Sequence, residues 1–171
     1  MSNHDFDAQL CRLGFVYTGE VIAPDGTILQ SATDQNLIPQ VGVNQLASLI
    51  TGTGSIISTY YVGVFANNYV PTSATTASDL PVNAGESVAY SQTTRPVWNK
   101  TYDGVSLISS FASRADFTFT ADATLYGGFL VSDSTKGGGG GVLLSIARFA
   151  TPYTVPNGST FRLGVSISLV A

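Results

Sequence analysis

Charge is what this sequence has least of. Asp, Glu, Lys and Arg make up 11% of its 171 residues, against about 25% in an average soluble domain. Hydrophobic residues stand at an ordinary 44%, so the missing charge has been replaced by Ser, Thr, Asn, Gln and 18 glycines. Disorder needs the opposite balance, with high charge and few apolar residues. The chain is therefore expected to fold, but with little charge to hold neighbouring molecules apart. Much of its surface is expected to lie against partners; the alternative is a neutral β-domain of the secreted type. The seven basic residues, Arg12, Arg95, Lys100, Arg114, Lys136, Arg148 and Arg162, are never adjacent. They form no stripe of the kind that releases counterions from nucleic acid, so no nucleic-acid partner is expected. No apolar run approaches the roughly 18 residues of a membrane helix, and no membrane role is expected. Met1–Leu10 is polar, with Asp5 and Asp7, and does not read as a signal peptide.

Histidine and cysteine occur once each, as His4 and Cys11. A single cysteine forms no intrachain disulfide. A single histidine near the start of the chain removes nearly every nucleophile–histidine arrangement. Zinc needs three or four His, Cys or carboxylate ligands, which this chain does not offer. Calcium binds through oxygen alone, so a site using Asp116, Asp122 or Asp133 stays open. A glycan hydrolase would need two acids about 5–10 Å apart. Glu20, Glu86 and Asp116 are the acids weighed for that role. The five glycines at 137–141 follow Lys136 and precede an apolar run. A phosphate loop requires the reverse order and a helix, so the run reads as a flexible hairpin loop. Asn99-Lys100-Thr101 and Asn157-Gly158-Ser159 match the glycosylation triplet; without a secretion signal both read as turns. The expectation is a protein that is not an enzyme and uses no cofactor or metal.

What is present is a succession of short β patterns. The length suits one domain, with residues 1–13 as a polar arm and 14–171 as the domain. Gly14–Ile22 and Thr27–Ser31 form a hairpin about Pro24-Asp25-Gly26, where Pro presets φ and Gly accepts a positive φ. One helix is predicted near residues 39–50. Pro39 suits its first turn, and Gly52 suits its C-terminal cap. Val43, Leu46, Ala47 and Ile50 share one apolar face, which should lie on the sheet. Strands are then predicted at Ser58–Phe65, Glu86–Gln92, Pro96–Tyr102, Val105–Ser110, Arg114–Thr120, Leu125–Ser132, Val142–Phe149 and Thr160–Val170. The last alternates strictly, with Phe161, Leu163, Val165, Ile167 and Leu169 against Arg162, Gly164, Ser166 and Ser168. Gly127-Gly128 inside a strand signals a bulge or a close backbone approach. The fold class is mainly β: an antiparallel two-sheet sandwich or jelly-roll-like barrel with one short helix. The loop at 66–86 is long enough to be functional or an assembly contact.

The interface candidates follow from residue type and place. His4 and Phe6 lie in the arm. Tyr60 and Tyr69 flank the start of the long loop, where a ring with one wet end suits an interface. Arg95 and Trp98 are types enriched at contact hot spots, or else a core Trp with an Arg packed over it.

Several segments together carry a resemblance. They are Asn36-Leu37-Ile38-Pro39, Gly42-Val43-Asn44, Tyr60-Tyr61-Val62-Gly63-Val64-Phe65, Thr94-Arg95-Pro96-Val97-Trp98, Ala115-Asp116-Phe117 and Gly127-Gly128-Phe129-Leu130-Val131-Ser132. Their order, with the glycine-rich loop, the Phe149 strand and a closing strand after Asn157-Gly158, resembles small structural proteins of tailed bacteriophages over about residues 35–171. The resemblance implies a virion component. The leading expectation is a capsid decoration, or cement, protein bound to the major capsid protein and to copies of itself, on the capsid surface after synthesis in the host cytoplasm. The alternative is a tail, neck or fibre accessory module that contacts other virion proteins or a host glycan. No catalytic residues come with it.

Overall fold

The computed structural model describes residues 14–169, so the expected arm at 1–13, with His4, Phe6 and Cys11, lies outside the described residues. The rest is the expected mainly β architecture, two antiparallel sheets and one helix. In the first sheet β1 (Phe15–Ile22) lies between β2 (Ile28–Gln35) and the last strand, β9 (Thr160–Ser168). The far edge of β9 is shared. One half pairs with β5 (Leu107–Ser109), which continues to β4 (Thr101–Tyr102), and the other half pairs with β6 (Ala115–Thr118). The second sheet runs β3 (Tyr61–Phe65), β7 (Ala123–Val131), β8 (Leu143–Val155).

The period-2 patterns place the core between the sheets. Phe15, Tyr17 and Val21 of β1 point inward with Phe161, Leu163, Val165 and Ile167 of β9 and Phe117 of β6. They meet Val62, Val64, Leu130, Phe149 and Tyr153 from the facing sheet. The opposite face of β9 is less open than its alternation implies. Gly164 and Ser166 are also buried, because the Phe111 ring sits over Gly164. The second sheet is covered on its outer face too. There Phe65, Phe129, Val131, Leu143 and Ile146 pack under Ala77, Leu80 and Ala84. The long segment at 66–86 is therefore a lid over this chain's own second core, pinned by a 3-10 turn at Ala77–Asp79 whose Asp79 closes a capping box with Thr76.

Three expectations need correction. Glu86–Gln92 and Pro96–Tyr102 are not continuous strands. The segment touches β3 at Glu86 and Val97 and crosses to Phe119 at Tyr90, so no run stays beside one strand long enough to form a ladder. The strand expected to end at Phe149 continues to Val155 through Pro152. This outer edge of β8 needs no N–H from Pro152, and its other groups are met by β2 side chains. Asp34 accepts from the Ala150 N–H at 2.7 Å, and Gln30 serves both the Pro152 carbonyl and the Thr154 N–H. The third correction concerns the helix, α1 (Gln40–Thr51). Pro39 stands at its N-cap, and Gly52 caps its end with φ 68°. The side in contact with β8 runs through Gly42, not through the predicted stripe. A Cβ at Gly42 would collide with the Leu144 carbonyl oxygen, so the glycine lets the helix sit directly on the strand backbone. That contact turns Val43, Ala47 and Ile50 away from the sheet; Leu46 alone of the predicted stripe packs inward.

The glycines in β7 behave as expected. The ladder to β8 shifts register between Leu125 and Gly127, and the Phe65 ring occupies the place a side chain at Gly127 would need.

Two outcomes follow. In an isolated helix, Gly→Ala gains about 1 kcal/mol. At Gly42 the sign should reverse, with Gly42→Ala costing roughly 1–3 kcal/mol from overpacking against β8, read as a lower urea midpoint. The second concerns Tyr153, whose hydroxyl donates to the Ala32 and Gly19 carbonyls and whose pKa is pushed up to about 12 by burial. The unfolded chain releases this proton near 10, while the folded chain holds it. The contribution of Tyr153 should be constant below pH 10 and be lost between pH 10 and 12, and Tyr153→Phe should lessen that loss in alkaline melts.

Candidate functional site

The described candidates turn out to be mostly internal. Tyr60 and Trp98 are buried in the main core. The Trp98 indole N–H donates to the Val165 carbonyl at 3.1 Å, and its ring meets Phe15 edge-on. The cation over Trp98 is Lys100, not Arg95, which lies over Phe129. Tyr69 is half-buried against Phe65, with its hydroxyl 3.0 Å from Thr75 Oγ1. Within the described residues these side chains hold this chain together, and the structure does not gather them into one surface.

Arg95 is the centre of a buried polar knot. Its Nε and Nη2 donate to Glu86 Oε1 and Oε2 at 2.8 and 2.6 Å, and both side chains are 0% exposed. Its remaining donors reach the Asp133 carbonyl at 2.9 Å and the Gly138 carbonyl at 2.5 Å. Gly137 N–H returns a bond to Glu86 Oε2 at 3.1 Å. A planar guanidinium making four hydrogen bonds and a carboxylate accepting three meet the condition under which a buried pair is tolerated. The glycine run is thus a fitted cradle and not a flexible hairpin. Gly137 and Gly141 take positive φ, at 75° and 84°, and Gly139 lies close against Ser78. Lys136, next in the chain, donates to the Tyr90 and Gln92 carbonyls, each at 2.8 Å, and sits over the Tyr90 ring.

Of the three acids weighed for hydrolysis, Glu86 is in the knot, and Glu20 and Asp116 line a shallow surface groove with Phe111, Arg114 and Arg162. The strand register sets this groove: Glu20, Arg162 and Asp116 are cross-strand partners on β1, β9 and β6. Each acid is already paired, Glu20 with Arg114 at 2.8 Å and Asp116 with Arg162 at 2.8 Å. The pairing with Asp116 also raises the pKa of Arg162. The candidate calcium residues do not converge. Asp122 accepts from the Asn157 N–H, and Asp133 from the Thr135 N–H and hydroxyl, bonds that lower the Asp133 pKa. Among the described residues no three of His, Cys, Asp and Glu stand together in a metal-holding group. No helix among them is long and apolar enough to cross a membrane.

What the described surface does offer is exposed apolar area. Fifteen large hydrophobic side chains are exposed. Several cluster around α1: Val43, Leu49 and Ile50 on the helix, and Ile56 in the segment that folds back beside it, where Gln45 donates to the Ser55 carbonyl. Ile50 and Ile56 are 88% and 83% exposed. No charged residue occurs between Asp34 and Asp79, so the helix and both its flanks are uncharged. That gap was the readable signal for this surface. The helical periodicity instead directed the same residues to the core. Tyr102, Val105 and Leu169 form a smaller exposed group where Leu169 N–H bonds the Ser106 carbonyl.

The chain matches no family model, no curated protein and no solved structure.

Removing one member of the knot should be costly. Arg95→Met leaves a buried carboxylate without its counter-charge and takes a donor from each of two carbonyls, and roughly 3–5 kcal/mol of stability should be lost. Arg95→Met with Glu86→Gln should be less destabilised than the two single losses added together, a coupling read from a double-mutant cycle in urea.

Proposed function

We propose that this chain is a non-enzymatic structural component of a phage particle that binds the outside of the capsid lattice and stabilises it. The observation that carries the reading is the surface: exposed large hydrophobic side chains are spread over a chain with little charge to keep it apart from partners. Such a surface suits a molecule that spends its working life against others. The resemblance to small tailed-phage structural proteins points the same way. The absence of catalysis in this reading is supported by how the acids are used, since Glu86, Glu20 and Asp116 each hold an arginine. The partners are the major capsid protein and further copies of this chain. Weak single contacts suffice on a lattice, because many of them act together.

The tail, neck or fibre reading has less to stand on. A glycan contact draws on exposed aromatic rings, and Trp98 and Tyr60 are interior. Copy number separates the two. Quantitative mass spectrometry of purified particles should give this chain in proportion to the major capsid protein, and particles lacking it should lose their DNA at a lower temperature. A copy number matching the tail proteins would overturn the capsid assignment.

A further inference from the structure

We infer that the exposed stripe Val43–Ala47–Ile50 of α1 is a self-association surface, on which the same helix of a second copy packs antiparallel about a two-fold axis. The stripe has the spacing of a helix–helix seam, i, i+4, i+7. All three residues are exposed, because Gly42 commits the opposite side of the helix to β8. The small Ala47 lies near the middle, where two helix backbones would come closest, at about 8–10 Å between axes. An antiparallel copy then sets Val43 of each helix against Ile50 of the other, the reciprocal arrangement a two-fold contact requires.

Charge decides between occupants. Solvent-facing helices ordinarily carry charged residues on the outer side; α1 has none, and neither do its flanks from Asn36 to Ser78. A charged partner surface would have to be desolvated here without a counter-charge, which is unfavourable. A second copy brings an equally uncharged face. Gln40 and Asn44 border the stripe, exposed and bonded to each other at 2.9 Å, so its rim is polar but carries no charge. One 12-residue helix makes a contact below the size of a stable permanent dimer, so the association is weak and depends on concentration. It belongs to the free chain and does not rest on the capsid assignment.

Sedimentation equilibrium of the full chain tests it. The weight-average mass should rise with concentration from 17.8 kDa toward twice that value. Ile50→Asp should hold the mass at the monomer value while leaving the melt unchanged. Should that variant fail to fold, Ala47→Glu places the same charge on the stripe. Val43→Lys should also be monomeric alone, and an equimolar mixture of Val43→Lys and Ile50→Asp should associate again. A wild-type chain that stays monomeric up to about 1 mM, where contacts worth less than about 4 kcal/mol cease to register, overturns the proposal and leaves residues 1–13 or an unrelated protein as what covers the stripe. Association that survives Ile50→Asp places the contact on another face. Failure of the mixture to associate rules out the antiparallel register.

Discussion

The Arg95–Glu86 pair is the constraint on which the closure of this fold depends. The segment from Gly85 to Trp98 has no continuous strand to anchor it, yet it seals the side of the sandwich where both sheets would otherwise end in open edges. It meets β3 twice, at Glu86 and Val97, and reaches the end of the other sheet at Tyr90 between them. A bidentate bond between its two ends holds that detour in place. The same guanidinium fastens the carbonyls of Asp133 and Gly138, so the loop joining β7 to β8 is tied to the same point. Dispersion and apolar burial alone would not fix a path this irregular, because neither is directional. A planar fork with five donors is.

On the opposite side closure is achieved by different means. The outer edge of β8 is met by one backbone bridge, Leu37 to Ile146, and otherwise by side chains: Gln30 and Asp34 reach it from β2, and Asn36 bonds Ser145 while receiving the Phe15 N–H. The two sides together leave few free ladder groups at the seams, which is how a two-sheet fold of low charge avoids adding strands from its neighbours.

The parts of this architecture that were legible in the sequence are those that local chemistry determines alone. The Pro24-Asp25-Gly26 hairpin, the alternation of β9, the αL glycine after α1 and the bulge at Gly127 all read directly. What did not read was set by distant partners. Arg95 and Glu86 are ordinary surface types until a cradle of glycines closes over them. Periodicity placed Val43, Leu46, Ala47 and Ile50 together on the sheet, but only Leu46 packs there, since Gly42 has no side chain and contributes nothing to an apolar pattern. Trp98 gave no sign of direction either, because its indole partner is a backbone carbonyl on β9. The charged groove arose from register alone, aligning Glu20, Arg162 and Asp116 across three strands far apart in the chain.

The pairing of β1 with β9 has a consequence for how the molecule is made. Among the described strands β1 is made first and its partner β9 last, whereas the sheet β3-β7-β8 assembles from strands made between them. Until β9 is made, β1 lacks that partner, and the local hairpin with β2 covers only its other edge. Non-local pairing of this kind is slow to form, and the waiting hairpin offers other nascent chains an apolar face and an open edge. The interval between the making of β1 and of β9 is thus the one in which this chain is most exposed to mispairing.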